Sequence, residues 1–125
     1  MKQNITSEQF VSLSFEKCIR LLSFLGVEIE DTQEQKDFYK WNKEIVKDRY
    51  SYHFENLTIG KSIEFIRYHH QMDIYTVNDY WCVQLFDFSV CANDEKSCIC
   101  EYSGKELIEV FYECIIWILD RQINT

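Results

Sequence analysis

Proline is absent from the 125 residues, and glycine occurs only at positions 26, 60 and 104. Few interior breaks are therefore imposed by the backbone. Phosphate-cradling loops, which need several glycines in one short run, are excluded. No stretch reaches about 18 consecutive apolar residues, so no segment is predicted to cross a bilayer as a helix. The opening MKQNITSEQF is polar and lacks the apolar centre of a secretory leader, which predicts a cytoplasmic chain. There the six cysteines are expected to be reduced. Asn4-Ile5-Thr6 and Asn56-Leu57-Thr58 then carry no glycosylation meaning. Positive charge is scarce too, with 13 Lys and Arg against 21 Asp and Glu, a net charge of −8. No basic stripe is visible for a phosphate backbone, and no Lys- and Arg-lined helix for a membrane surface. An acidic balance keeps a chain soluble and favours a basic partner.

What is abundant is apolar. Hydrophobic residues make up 46% of the chain, which excludes disorder as the default state. Three Trp, eight Tyr and nine Phe exceed what a small core can hide completely, so some are expected at the surface, where aromatics anchor interfaces. No linker or repeat divides the sequence, and residues 1–125 read as one domain.

The periodicity predicts an α+β architecture. Thr6-Ser7-Glu8-Gln9 reads as a capping box opening a first helix, whose stripe is Val11, Phe15, Cys18, Leu22 and Leu25. Gly26 followed by Val27 suits a left-handed cap at its end. Thr32 and Gln35 suit a second capping box, ahead of a helix over 33–49 with Phe38, Trp41, Ile45 and Arg49 at helical spacing. Residues 50–55 are ambiguous and could be extended. Ile59, Ile63, Ile66 and His70 predict a third helix over 58–71, weakened by Gly60, with a strand through Ile63-Glu64-Phe65-Ile66 as the alternative. From Asp73 the period becomes two. Residues 73–77 read as a strand, Asn78-Asp79 as a tight turn and residues 80–90 as a second strand. On that strand Trp81, Val83 and Leu85 oppose Cys82, Gln84, Phe86, Phe88 and Val90. Residues 92–95 turn the chain and 97–102 return it, giving a three-stranded antiparallel sheet with one covered face. Ser103-Gly104-Lys105-Glu106 reads as a third capping box before a helix burying Leu107, Phe111, Cys114 and Ile118, widened by Val110, Ile115 and Leu119. The order helix–helix–helix–three strands–helix makes a single-domain sandwich.

Candidate chemistry is sparse. A thiol nucleophile needs a base and an oxyanion site, yet Cys18 and Cys114 fall on helix core faces and Cys82 lies mid-strand. Cys91, Cys98 and Cys100, spaced C-x6-C-x-C, could converge on a metal or form a disulfide, although structural zinc favours tighter spacing. Simple packing is the competing reading. His69 and His70 point apart on a helix and cannot serve one site, although His69 could pair with Asp73. His53 has no recognisable partner. No catalytic residue, cofactor or metal is assigned, and a zinc- or thiol-dependent enzyme stays a distant alternative.

Two acidic groups stand out. Glu28, Glu30, Asp31, Glu34 and Asp37 crowd one stretch. Glu106, Glu109 and Glu113 line up at three- and four-residue steps on the last helix, where only Glu106 gains from the helix N-terminus and the other two repel each other. Such charge serves either as a solvated face or as a surface that docks on a basic site, with carboxylates in place of phosphates and Tyr102, Tyr112 or Trp117 as aromatic anchors.

The order of elements resembles a family of small phage-encoded proteins, the phage ABA sandwich domain. The similar parts are the opening helix ending Leu25-Gly26-Val27, Tyr50-Ser51 ahead of the segment 57–68, and the final unit. That unit runs from Trp81-Cys82-Val83 through a hairpin to Gly104-Lys105-Glu106-Leu107-Ile108. The last helix departs from the family, with Phe111, Tyr112, Cys114 and Trp117 where an alanine-rich face is usual. The resemblance implies a helix–sheet–helix sandwich of phage or prophage origin with no assigned activity. Acidity and resemblance together give the expected function. It is a non-enzymatic inhibitor docking on the basic nucleic-acid-binding surface of a host defence enzyme such as a CRISPR effector. A toxin-neutralising immunity protein is the alternative by the same physics. A homodimer is compatible with spare surface aromatics.

Overall fold

The computed structural model describes residues 3–87 and 98–124. Its elements are α1 (Ser7–Val11), α2 (Phe15–Phe24), α3 (Gln33–Trp41), α4 (Lys43–Glu55), α5 (Ile59–His69), β1 (Gln71–Val77), β2 (Tyr80–Phe86), β3 (Cys100–Gly104) and α6 (Leu107–Ile123). The three strands form one antiparallel sheet in the order β1-β2-β3, so the α+β class read from the sequence is the observed one. Among the described residues no helix is long and apolar enough to cross a membrane.

Two expected helices are each divided. The stripe from Val11 to Leu25 spans a corner at Ser12–Ser14, where serine hydroxyls compete for backbone partners. Ser12 Oγ donates to the Gln9 carbonyl at 2.6 Å, and Ser14 caps α2 by accepting from the Lys17 N–H at 3.3 Å. The Thr6 capping box is complete, with Gln9 reaching back to the Thr6 N–H at 3.0 Å. Gly26, at φ +96°, closes α2 as a Schellman motif through Gly26 N–H to Ser23 O and Val27 N–H to Leu22 O. The second division falls at Asn42, which leaves helical geometry at φ −130°, ψ 45°, while its side chain donates to Phe38 O at 3.1 Å. Beyond it α4 continues through Glu55, so residues 50–55, taken as ambiguous or extended, are helical.

The corner between α1 and α2 is held by side chains from far away in sequence. Tyr39 Oη donates to Leu13 O at 2.6 Å, Lys43 Nζ to Val11 O at 2.7 Å, and Tyr112 Oη to Gln9 O at 2.7 Å. The Lys43 ammonium also lies 3.5 Å above the Tyr39 ring, a cation–π contact in a partly buried place. Carbonyls that a continuous helix would satisfy internally are thus capped from outside.

Asn78 and Asp79 both take positive φ, 50° and 70°, the type I′ geometry of a two-residue hairpin. Strand β2 is described to Phe86, and the expected continuation through Phe88 and Val90, the turn at 92–95 and residue 97 lie outside the described residues. The third strand begins later than read and runs on to Gly104. Ser103 and Gly104 pair with Cys82 and Trp81, so the capping box expected at Ser103 does not form. Glu106 is the N-cap of α6 and makes no side-chain cap. Ladder hydrogen bonding held these residues extended, and Gly104 lets β3 approach α6, since a Cβ there would sit 3.2 Å from Val110.

Helix α6 is the centre of the molecule. All seven residues of its expected stripe are buried, joined by Ile108 and Tyr112. It lies on β2 and β3 and against α5 and α2, with Val83 and Leu85 beneath it. On the opposite face of β2, Cys82 and Phe86 are buried as well, so that face is not left wholly open.

Candidate functional site

The two acidic groups singled out in the sequence meet different fates. Glu28, Glu30, Asp31, Glu34 and Asp37 are all exposed along the α2–α3 connection and the first turns of α3. Glu28 accepts from Ser23 Oγ at 2.7 Å and Asp37 from Gln33 Nε2 at 2.9 Å, which leaves both carboxylates open to water. Of Glu106, Glu109 and Glu113 only Glu113 is exposed. Glu109 accepts a 2.7 Å hydrogen bond from Gln9 Nε2 and helps fasten α1, and Glu106 is half-buried at the helix start.

The expected anchors on this side point inward. Tyr112 is buried with its hydroxyl spent on Gln9 O, and burial pushes its phenol up to about 12. Tyr102 is half-buried against the core, and Trp117 lies between the His70 ring and the Arg121 guanidinium. The tyrosines expected as anchors are therefore packing residues, because β3 and α6 turn them toward the core.

The exposed aromatics lie elsewhere. Trp41 is 75%, Ile45 48% and Tyr52 71% exposed. The helical spacing of Trp41 and Ile45 was legible, whereas Tyr52 fell in the stretch read as ambiguous, and the buried stripe of these helices is Tyr39, Val46 and Phe54. On α3, Glu34, Asp37 and Trp41 follow at steps of three and four and share a face. On α4, Ile45, Asp48 and Tyr52 repeat that spacing. All six residues are exposed. Each helix thus presents acids and large apolar side chains on one outward stripe, flanked on α4 by the exposed carboxylates of Glu44 and Glu55. Lys40 lies 5.0 Å from the Trp41 ring centre. Burial of Tyr39 and Phe54 on the opposite side fixes which way the stripe faces.

A second feature is an open groove of about 500 Å³ between α2, α5 and the end of α6. Phe24, Phe65, Tyr68 and His69 form its aromatic wall in edge-on and tilted contacts near 5 Å. Its polar members bond to one another, with Arg20 donating to Gln122 Oε1 at 3.3 Å and Gln122 Nε2 lying 3.4 Å from the His69 ring. Burial and neighbouring His70 hold the His69 imidazole below its ordinary range. The expected pairing of His69 with Asp73 does not form, because α5 ends at His69 and Asp73 lies in an extended strand. His70 instead faces Asp87 at 3.7 Å.

The cysteines among the described residues are free thiols. Burial raises Cys18 and Cys100 to about 11 and Cys114 higher still. Cys98 is exposed, its Sγ 3.2 Å from Cys100 O. Cys91 lies outside the described residues, and among the described residues no three His, Cys, Asp or Glu side chains gather in a way that could hold a metal ion. Comparison with protein-family models, curated proteins and solved structures returns no match.

Proposed function

We propose that this protein is a non-catalytic binding protein that docks, through the outward stripe of α3 and α4, on a basic surface of a macromolecular partner. One observation carries the reading. Three large apolar side chains, Trp41, Ile45 and Tyr52, stand in water on one stripe with Glu34, Asp37 and Asp48, on helices whose opposite sides supply the core. Lys36, Lys40, Lys43 and Lys47 of the same helices lie off that stripe, Arg49 lies over the Phe38 ring, and Lys47 pairs with Glu44. Stability gains nothing from exposing a tryptophan, whereas buried aromatic anchors with a charged rim are what an interface uses. The carboxylates of Glu34, Asp37, Asp48 and Glu55 would speed encounter with a positive partner. The aromatics would set how long the complex lasts.

A basic surface that normally holds nucleic acid is the partner class that fits, since rows of carboxylates present charge to Lys and Arg as phosphates do. The phage resemblance of the sequence fits a cytoplasmic inhibitor of a host defence enzyme. The test is affinity capture from host lysate with mass spectrometry, comparing wild type with Trp41→Ala/Tyr52→Ala and with Asp37→Lys/Asp48→Lys. Loss of the captured protein with both variants, and salt-sensitive capture by wild type, are expected. Retention by both variants, with loss only on reversal of Glu113, would move the interface to α6.

A further inference from the structure

Strand β1 has β2 on one side and, among the described residues, no strand on the other. Exposed sheet edges are usually guarded by lysine, proline or a bulge, and Gln71–Val77 contains none of these. Its residues from Asp73 onward are exposed on both faces, including Ile74, Tyr75 and Val77. The hairpin fixes which backbone groups are free. Val77 and Tyr80 flank a two-residue type I′ turn, so they exchange hydrogen bonds, as do Tyr75 with Cys82 and Asp73 with Gln84. The N–H and C=O groups of Met72, Ile74 and Thr76 therefore point outward.

We propose that β1 pairs antiparallel with β1 of a second copy about a two-fold axis at Ile74, making a continuous six-stranded sheet. In that register Met72 meets Thr76 of the other copy and Ile74 meets Ile74, so all three outward-facing residues exchange hydrogen bonds. Charge selects the occupant. The chain carries −8, but this edge holds a single ionisable carboxylate, Asp73. It would sit opposite Tyr75 of the other copy and roughly 7–8 Å from its own counterpart on the diagonal. No like charges face each other, and the apolar Ile74, Tyr75 and Val77 of both copies are covered together. This is where two acidic copies meet with least repulsion.

The experiment uses charge swaps at the axis, where each residue faces itself. Wild type should sediment at twice 15.2 kDa. Ile74→Glu and Ile74→Lys, each alone, should weaken self-association roughly tenfold or more by opposing like charges, and mixing the two variants should restore a one-to-one heterodimer. Ile74→Pro should dissociate the dimer while leaving the β1–β2 ladder intact, because the Ile74 N–H faces outward; unchanged circular dichroism separates this from misfolding. A wild-type monomer at high micromolar concentration, or a dimer indifferent to all three substitutions, would overturn the proposal. So would failure of the mixed variants to pair. None of these results bears on the α3–α4 stripe.

Discussion

Replacing Tyr39 by Phe tests the account of the α1–α2 corner with a change of one oxygen atom. The ring stays buried and still receives the Lys43 ammonium, so packing is preserved. Lost is the donor that sits 2.6 Å from Leu13 O and 3.3 Å from Phe10 O, in a buried contact. Removing one partner from a buried carbonyl costs roughly 1–3 kcal/mol. At about 2.1 cal/mol/K per residue over 125 residues, a loss of about 2 kcal/mol lowers the melting temperature by roughly 8 °C. Thermal unfolding followed by circular dichroism, with urea midpoints as a check, measures it. Tyr52→Phe on the exposed stripe is the matched control and should stay within about 0.5 kcal/mol. Tyr39→Phe combined with Tyr112→Phe should deviate from additivity, since both hydroxyls serve one corner. If Tyr39→Phe melts within about 2 °C of wild type, the corner is not held by these hydroxyls and the division of the first helix needs another cause.

Burial holds the imidazoles of His69 and His70 below their ordinary value of 6.5, so the folded state prefers them neutral. The unfolded chain takes up protons first as pH falls. Stability is therefore full above about pH 6.5 and declines below it until the folded-state values are reached; urea midpoints across that range should show the decline, and a His69→Gln/His70→Gln variant should flatten it. Native-state alkylation mapped by mass spectrometry should modify Cys98 ahead of Cys18, Cys100 and Cys114, whose thiols are buried; equal rates would contradict that burial. Gly26→Ala forces a side chain into φ +96° and should cost about 1 kcal/mol in equilibrium unfolding, whereas a neutral result would mean that α2 does not end in a left-handed residue.

Periodicity made the architecture legible because the dominant segments obey one rule each. The expected stripe of the last helix is wholly buried, Asn78-Asp79 demanded a turn by its tolerance of positive φ, and the change of period at Asp73 marked the start of the sheet, which begins two residues earlier at Gln71. What sequence could not weigh was competition. Ser12–Ser14 and Asn42 break helices through local side-chain hydrogen bonds, and the stripe of apolar residues running past them is indifferent to the break. Ser103 was equally suited to a cap or a strand, and pairing with Cys82 decided it. The candidate surface was half legible. Trp41 and Ile45 were visible as a helical row, but which of two rows faces the core depends on Tyr39, whose partners lie in α1 and α2 and are invisible to local spacing. Tyr102 and Tyr112 were misplaced for the same reason, as orientation around α6 is set by the sheet beneath.

The segment from Asn4 to Phe10 is seated by residues from much later in the chain. Asn4 bridges to Thr58, and Gln9 is gripped by Glu109 and Tyr112, 100 and 103 positions away. During synthesis, therefore, this segment leaves the ribosome well before all of its partners do. Phe10 can stack on Phe54 once α4 has been made, but the segment is not fastened until the final helix supplies Glu109 and Tyr112. Nascent chains halted before residue 107 should be bound by chaperones and cut readily by protease, and release of the full chain should end both at once.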